Sequence, residues 1–538
     1  MLWLRRGDLA VLLALTIYVP AASLAGYRNR DFLHGDVICY LRYAMYLAEG
    51  RFADSVSGAF SPLISWCTAP LLIAGVDPCY AIRIVLWFWG LLFVLATARG
   101  ARILVRRRLF AALALSVIAV EAAGFSAHYT SGDLPMSACL LGYCAIALSP
   151  HFPKSRRRQF LAGVVAGVAY LGKSYAFPFF LVHFPVAVGL RVGVRSRPQR
   201  WRYAAIAWAL GMTGFLLVSA PWVAVLTAKY GRLTFSSLTV LAGDLSGGLV
   251  RDFRYELFNV PEGRITVFET WEDCMKFTDV ERPFGDRVRD AVRRGFWNAV
   301  LIRESILGYD LLALSIPGVV VSLLLAPSAK RRRQAVFLAA TVAIFVSGFL
   351  LIYWENRYTR AVFYPLLSLW CFGVAAEWLR RLQGTTTIPR WTRYAAASLL
   401  LLSYLLPTVY LYSKEPLYSR VGRNTREVAA QLKTVGCAGP IAILPNESLT
   451  YHYGLCSAFH LGLQYAGGVK GTDIHQIEKE LAHYGVETLL LDPGDPRGNW
   501  FLNGTSWTLK ALLIGRKGMP NLGVWVAPKS RAESRGRE

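Results

Sequence analysis

Residues 80–127 read YAIRIVLWFWGLLFVLATARGARILVRRRLFAALALSVIAVEAAGFSA, two long apolar runs separated by Arg106, Arg107 and Arg108. Each run is long enough to cross the ~30 Å hydrocarbon core of a bilayer as a helix. Clustered basic residues between apolar runs are typical of cytoplasmic loops. The segment therefore predicts two membrane-spanning helices joined on the cytoplasmic side.

The composition of the whole chain is also typical of a membrane protein. Of 538 residues, 54% are hydrophobic and 17% are charged, and the mean hydropathy is +0.37. Soluble domains carry about 25% charged residues. A net charge of +25 would also suit a nucleic-acid-binding protein, but the basic residues lie in short clusters between apolar runs. We therefore expect a polytopic membrane protein and no nucleic-acid partner.

The remaining apolar runs give the number of spans. Residues 159–190 are too long for one upright span, and basic clusters flank both of their ends, so an even number of crossings is required. Two short helices that meet at Gly172-Lys173-Ser174 satisfy this requirement. The first run is interpreted as a retained helix rather than a cleaved signal. The prediction is about eleven spans, with the N-terminus inside and the C-terminus outside. The single spans are 9–25, 80–104, 108–127, 133–149, 203–228, 306–326, 334–353, 360–379 and 394–412.

The predicted fold class is an all-α polytopic membrane protein with a small C-terminal α/β domain. A transmembrane domain covers 1–415, with outer loops 26–79 and 229–305, and an outer-face α/β domain with a basic tail covers 416–538. PIAILP, ETLLLD and LGVWVAP predict strands of that domain, and IHQIEKELAHYG predicts an amphipathic helix.

The first outer loop contains two further predicted helices. Residues 37–49 have apolar groups at helical spacing, which predicts an amphipathic helix on the membrane surface. Residues 61–75 are apolar but too short to span, and predict a re-entrant or surface helix.

Two outer acidic residues are the first candidates for chemistry. Asp36 precedes the predicted surface helix, and Asp133 begins the fourth span. A partly desolvated carboxylate can act as a general base or bind a metal. Each residue can equally be the N-cap of the helix that follows, since Asp is a favoured cap. Both interpretations stay open at this point.

Two cationic residues are the next candidates. Lys173 lies in the predicted turn of the helical hairpin, where it can bind a phosphate headgroup as a point charge or simply extend to the interface. Arg357 lies in the segment Glu355-Asn-Arg-Tyr358, outside the tenth span. It can bind phosphate through two N–H groups with Glu355 orienting it, or Arg357 and Tyr358 can be interfacial anchors.

Other catalytic signatures are missing from the sequence. It has no Walker A pattern, no GxSxG elbow, no HExxH motif and no clustered Cys/His site. No metal or other cofactor is firmly implied, although Asp36 and Asp133 leave a shared divalent metal open. Cys437 and Cys456 both lie in the predicted outer domain and are candidates for a disulfide if that compartment is oxidising.

The order of these motifs resembles the GT-C superfamily of glycosyltransferases that use polyprenyl-phosphate sugars. The most similar branch is the bacterial one with protein O-mannosyltransferases and lipid A aminoarabinose transferases. The resemblance covers about residues 1–415 and rests on HGDVICYLRYAMYLAEG (34–50), SGDLPMSACLL (131–141), GVAYLGKSYAFPFFL (167–181), KYGRLTFSS (229–237), GRITVFETWED (263–273) and ENRYTRAVFYPLL (355–367).

The resemblance implies roles for the matching residues. Asp36 is expected to activate the acceptor, and Asp133 to position the acceptor or the base. Lys173, Arg357 and Tyr358 are expected to bind the donor phosphate, and Glu355, Tyr40 and Arg42 to support these groups. The first loop departs from the aminoarabinose transferases, since Ala59-Phe60-Ser61-Pro62 stands where they carry a Glu-containing element.

The predicted function is transfer of a sugar from a polyprenyl-phosphate donor to a lipid, glycan or protein acceptor. It would take place in the cell envelope, on the outer face of the cytoplasmic (inner) membrane of a bacterium. A transporter or flippase of a lipid-linked saccharide is the alternative. No internal repeat, which is common in transporters, is visible in the sequence.

Overall fold

The structure is a computed structural model. It describes residues 8–528 except 130, 193–196, 238–256, 258–283, 308–328, 353, 356, 359–363, 386–390, 392–393, 396–397, 399–400, 403–404, 407–408, 410–414, 445–449, 470, 472, 493–494, 496, 498–500, 502–504 and 515–520. The chain divides into two compact units. The first contains residues 1–27, 60–243 and 282–415, and the second contains residues 28–59, 244–281 and 416–538.

The first unit is helical wherever the structure assigns regular elements. Its helices are α1 (Asp8–Arg28), α3 (Leu63–Ile73), α4 (Pro78–Leu104), α5 (Arg108–His128), α6 (Asp133–Leu148), α7 (Arg156–Gly172), α8 (Ala176–Val192), α9 (Arg197–Tyr230), α10 (Phe284–Leu307), α11 (Ala329–Leu351) and α12 (Tyr364–Thr385). The helix α2, which belongs to the second unit, lies between α1 and α3 in the sequence.

The predicted spans agree with these helices where the structure describes them. Five helices, α1, α4, α5, α9 and α11, are long and apolar enough to cross a membrane, and α3, α6 and α8 are shorter apolar helices. The helical hairpin is confirmed, because α7 ends at Gly172 and α8 begins at Ala176. The predicted span 306–326 lies almost entirely outside the described residues, as does much of 394–412, so the count of eleven stays a prediction.

Glycines allow α7 and α9 to approach closely. A Cβ at Gly163 of α7 would overlap the carbonyl oxygen of Gly211 on α9, and one at Gly214 would overlap the carbonyl oxygen of Phe160. Small residues at such crossings are typical of membrane helices, which associate through close backbone packing. This contact fixes α7, and therefore the position at which its C-terminal end places Lys173.

A buried polar chain links α6, α8 and α11. The Tyr143 hydroxyl lies 2.8 Å from His183 Nδ1, and His183 Nε2 lies 2.8 Å from the Thr341 hydroxyl. The Thr341 hydroxyl donates to the Phe337 carbonyl at 2.8 Å, so we infer that it accepts from Nε2–H and that Nδ1 accepts from Tyr143. Satisfied polar contacts of this kind fix the relative positions of apolar helices.

The second unit contains a five-stranded mixed sheet of order β2-β1-β3-β5-β4. Its strands are β1 (Ile441–Leu444), β2 (Tyr465–Gly468), β3 (Thr488–Leu491), β4 (Thr508–Leu513) and β5 (Leu522–Val526), and its helices are α2 (Gly35–Ala48), α13 (Glu415–Thr434), α14 (Thr450–Leu461) and α15 (Ile474–His483). β1 pairs with β2 and β3 in parallel, and β5 pairs with β3 and β4 in antiparallel fashion. The predicted strands at β1, β3 and β5 and the predicted helix at α15 are confirmed.

Residues from distant parts of the chain complete this unit. Ile477 and Leu481 of α15 face the buried strands β1 and β3 in one apolar core. Leu257, from the predicted outer loop 229–305, is 3% exposed in the same core and bridges to Gly467 of β2.

The first outer loop contributes α2 and the residues before it. Asp31 Oδ1 accepts from Arg426 Nη1 at 2.6 Å, and Phe32 packs on Tyr418 with ring centroids 4.9 Å apart. The predicted helix is confirmed, with α2 packed against α14. The consecutive residues 37–44 are all buried, so this stretch of α2 has no open face, and its expected place on the membrane surface stays a prediction.

The two cysteines predicted as a candidate pair are not bonded. Neither Cys437 nor Cys456 takes part in a disulfide. Cys456 is buried, and its Sγ lies 3.0 Å from the carbonyl oxygen of Leu33, which accepts its weak S–H hydrogen bond. The Cys456 thiol therefore contributes to holding the first loop rather than to a cross-link.

Candidate active site

Asp133 lies at the centre of a charged cluster in the first unit. It is the first residue of α6, after the N-cap Gly132, and its side chain is 0% exposed. Its Oδ1 accepts from Lys173 Nζ at 2.5 Å and its Oδ2 from the Ser131 hydroxyl at 2.6 Å. The carboxylate is therefore engaged by side chains from other segments, rather than serving as the N-cap.

The position of Lys173 follows from the end of α7. Lys173 is the C-cap of this helix, and its backbone N–H donates to the Ala169 carbonyl at 2.9 Å. Gly172 lies so close to α6 that a Cβ would meet the Met136 nitrogen at 3.0 Å. The close approach of α7 to the first turn of α6 brings the ammonium group to Asp133.

Arg357 joins the cluster from the segment after α11. Its Nε lies 3.3 Å from Asp133 Oδ2 and 2.8 Å from Glu355 Oε2, and its Nη2 donates to Glu355 Oε1 at 2.9 Å. The side chains of Lys173 and Arg357 are each 14% exposed, whereas that of Glu355 is 36% exposed. Glu355 is thus the carboxylate of this cluster that is most open to solvent.

The charges of the cluster explain why Asp133 can be buried. Removing an unpaired carboxylate from water costs several kcal/mol, and the cost is offset only by close cations and hydrogen bonds. Asp133 has two cations, Lys173 and Arg357, and one hydroxyl donor, Ser131. Lys173 and Arg357 carry two positive charges, and Asp133 carries one negative charge. Together the three side chains therefore attract a further anion. Glu355, which already contacts Arg357, competes with any bound anion for this position.

The aromatic ring of Tyr358 lies beneath the two cations. The Lys173 ammonium lies 4.3 Å above the centre of its ring, and the Arg357 guanidinium lies 5.8 Å from it. The ring is stacked on Phe349 at 4.2 Å and meets Trp354 edge-on. Burial, followed by the nearby carboxylates, raises the pKa of the Tyr358 hydroxyl well above its usual range, so Tyr358 stays a neutral donor.

Asn298 of α10 fixes the segment that carries these residues. Its side-chain amide donates to the Phe349 and Leu350 carbonyls at 3.0 Å each, and its side-chain oxygen accepts from the Trp354 N–H at 3.2 Å. Asn298 is 3% exposed. One buried amide therefore ties the end of α11 to the start of the segment that contains Arg357.

Asp36, Tyr40 and Arg42 belong to the second unit. Asp36 lies in the first turn of α2, whose N-cap is His34, and its side chain is half-buried. Tyr40 is 5% exposed and Arg42 is 2% exposed, and Arg42 Nη2 donates to the Tyr46 hydroxyl at 3.3 Å. Tyr40 and Arg42 are buried residues of α2, and their supporting role, like the catalytic role of Asp36, stays a prediction.

The structure brings together five of the predicted residues, namely Asp133, Lys173, Glu355, Arg357 and Tyr358. It also shows three partners that the sequence reasoning did not identify, namely Ser131, Asn298 and Phe349. Ser131 carried a signal, because a serine two residues before an aspartate is well placed to donate to it. Asn298 is far from the motifs in sequence, and Phe349 is one of many apolar residues of the span before Glu355, so neither carried a signal.

Among the residues that the structure describes, no group of three or more His, Cys, Asp and Glu side chains is arranged to hold a metal ion. The charged cluster is instead built from two cations and two carboxylates, a set suited to an anionic ligand.

Solved structures of other proteins share the fold of this chain. No protein-family model matches the sequence, and no curated protein matches it. ArnT from Cupriavidus metallidurans, solved bound to undecaprenyl phosphate, is similar in structure with a TM-score of 0.53 at 16% identity, over 96% of this chain and 97% of ArnT. An oligosaccharyltransferase from Archaeoglobus fulgidus, solved with zinc and sulfate, has a TM-score of 0.52 at 12% identity, over 92% of this chain and 69% of its own. Both are GT-C proteins, so the GT-C fold that the motif order predicts is confirmed.

Proposed function

We propose that this protein is a membrane glycosyltransferase that transfers a sugar from a polyprenyl-phosphate donor to an acceptor outside the cytoplasmic membrane of a bacterium. The observation that carries the proposal is the paired placement of Lys173 and Arg357 around Asp133, above the ring of Tyr358. The similar fold of ArnT, which binds undecaprenyl phosphate, supports a lipid phosphate as the anion.

The two cations have the chemistry that a departing phosphate requires. During transfer, the bond between the anomeric carbon and the phosphate oxygen breaks, and negative charge collects on the polyprenyl phosphate. Lys173 offers a point charge and Arg357 offers planar N–H donors, which together stabilise that charge. Tyr358, held neutral, offers a further O–H donor. Positioning and charge stabilisation are the contributions that this cluster makes.

We assign Asp133 a positioning role toward these cations. Both of its oxygens are occupied, by Lys173 on one side and by Ser131 and Arg357 on the other, and it is 0% exposed. A carboxylate that is fully buried behind these partners is closed to an acceptor hydroxyl. Asp133 therefore keeps Lys173 and Arg357 close together in the absence of donor, while the more exposed Glu355 is the carboxylate that yields to phosphate.

Asp36 remains the proposed general base, on the strength of its motif. It would take the proton from the acceptor hydroxyl while the acceptor oxygen forms its bond to the anomeric carbon. The multi-pass topology with the N-terminus inside and the C-terminus outside, and the identity of the acceptor as lipid, glycan or protein, are likewise part of the proposal. The likeness to two transferases favours this function over a flippase.

The experiment compares donors and variants. Purified protein in vesicles is given a panel of undecaprenyl-phosphate-linked sugars or the matching nucleotide sugars, with acceptor extracts from the envelope. We expect turnover with the lipid-linked donor alone. Efficient turnover with a nucleotide sugar, without polyprenyl lipid, would contradict the proposal.

Variants locate the donor site. Lys173→Ala and Arg357→Ala should each reduce kcat/KM for the lipid donor by about 10²-fold or more, the range for removal of one charge-stabilising donor. Lys154→Ala and Arg156→Ala are the matched controls, because both residues are exposed and lie in none of the motifs that carry the resemblance. Equal losses in the control variants would assign the effect to surface charge rather than to the cluster.

A further inference from the structure

A groove lies at the arginine-rich end of the first unit, between α1, α4 and α5. It has a volume of about 330 Å³ and half-open walls formed by apolar side chains, including Leu13, Ala112 and Leu115. A volume of this size is at the lower end of the range for small-molecule sites. None of the residues assigned to sugar transfer lines the groove.

The walls open toward the hydrocarbon. Leu9 is 78% exposed, Leu13 is 45% exposed and Leu109 is 48% exposed, and all three line the groove. Since α1, α4 and α5 are all long and apolar enough to span a membrane, these leucines would contact lipid chains rather than water. The groove can therefore receive an acyl chain directly from the bilayer.

The mouth of the groove is strongly cationic. Arg102 in the last turn of α4, Arg106 in the link and Arg108 at the start of α5 all line it, and all three are exposed. None of the described residues that line the groove is acidic. The positive end of the α5 helix lies at the same place, and its N-cap, Arg107, makes no side-chain capping bond.

We propose that this groove is a binding site for an anionic phospholipid, with an acyl chain between the leucines and the phosphate at the three arginines. Arginine binds phosphate through paired N–H donors, and basic pockets between spanning helices bind anionic headgroups in the cytoplasmic leaflet. Because clustered arginines mark the cytoplasmic side, the lipid comes from that leaflet. The site differs from the Asp133 cluster in location and in having no carboxylate among the described residues that line it.

The test measures lipid retained by the full-length protein. Detergent-purified protein is titrated with dioleoylphosphatidylglycerol, dioleoylphosphatidylcholine or inorganic phosphate and examined by native mass spectrometry. We expect one tightly retained phosphatidylglycerol, weak retention of phosphatidylcholine and no effect of inorganic phosphate. The combined substitution Arg102→Gln, Arg106→Gln and Arg108→Gln should weaken phosphatidylglycerol binding by about tenfold or more.

A charge-matched control separates a site from general attraction to anionic lipid. Lys154, Arg156 and Arg157 are also exposed, lie in another basic cluster and do not line the groove. Their combined substitution by Gln removes the same charge and should leave the retained phosphatidylglycerol in place. Equal losses in the two triple variants would overturn the proposal, because the lipid would then be held by the overall positive charge.

A steric variant tests the groove without changing charge. Ala112→Trp places a bulky ring in the groove, whereas Leu113→Trp places the same ring at the next, half-buried position of α5, which does not line the groove. Only the first should lose the retained lipid, with both variants remaining monodisperse. Retention in Ala112→Trp, or equal retention of phosphatidylcholine by the unmodified protein, would contradict the site. A dimer that persists without lipid and is lost in Ala112→Trp would identify a second copy as the occupant and would also overturn it.

Discussion

Replacing Lys173 by Met should reveal how strongly the buried Asp133 depends on its partners. The substitution keeps the apolar stem of the side chain and removes the charge, leaving Arg357 and Ser131 beside the carboxylate. Breaking a fully buried ion pair costs about 3–5 kcal/mol. Asp133 is 0% exposed and Lys173 is 14% exposed, and two partners remain. We therefore expect Lys173→Met to lower the free energy of unfolding by about 2–3 kcal/mol.

A double-mutant cycle separates the pair from other effects of the substitution. Asp133→Asn removes the charge that Lys173→Met leaves unpaired, so the double variant should recover stability, with a coupling free energy of about 2 kcal/mol. Equilibrium unfolding in mixed detergent measures the four proteins. Lys229→Met, at an exposed position, combined with Asp133→Asn is the control, and its effects should be additive. A coupling below about 0.5 kcal/mol for the Lys173 pair would refute this account of the cluster.

Three further predictions concern other parts of the chain. Asp36→Asn should abolish sugar transfer in protein that remains folded and inserted, because it removes a base without changing size; near-normal turnover would leave Asp36 as a residue that only stabilises its helix. Gly163→Val should lower the free energy of unfolding by about 1–3 kcal/mol, because the new side chain overlaps the Gly211 carbonyl, whereas Gly189→Val, with no atom within 4 Å of the new Cβ, should change it little. Burial lowers the pKa of His452 to about 4 in the folded state. Since the unfolded chain binds that proton near pH 6.5, hydrogen-exchange protection of α14 should be full above that pH and decline toward pH 4. His452→Gln should flatten the decline, and an unchanged profile in that variant would assign the pH dependence to other groups.

The helical hairpin shows what the sequence can predict about this fold. Basic clusters on both sides of residues 159–190 require an even number of crossings, and the length of the run allows two short helices with a turn at Gly172-Lys173-Ser174. Whether a segment is apolar or basic can be determined from that segment alone, so each span can be predicted without knowledge of the others. The same reasoning placed Asp133 and Lys173 at one end of the bundle, although it gave no sign that they touch.

Contacts between distant segments could not be predicted. The periodicity of residues 37–49 indicates an amphipathic helix, but it does not identify what covers the apolar face, and a membrane surface and a folded domain satisfy it equally. Asn298 presents the same difficulty, since a buried amide that bonds backbone groups of α11 has no distinctive neighbours in the sequence. The stacking of Tyr358 on Phe349 beneath Lys173 depends on how the chain turns after α11, which no spacing rule supplies.

The ion pair between Asp31 and Arg426 has a consequence for synthesis of the protein. Its two residues are 395 positions apart, and the first leaves the ribosome long before the second. At about 5–20 residues per second, roughly 20–80 s pass before α13 can receive the first loop. During that time the apolar residues of α2 have no α14 to pack on and are exposed to chaperones and proteases. A chain that stops before Arg426 would therefore leave the first loop without its partners, however many of the membrane helices it had completed.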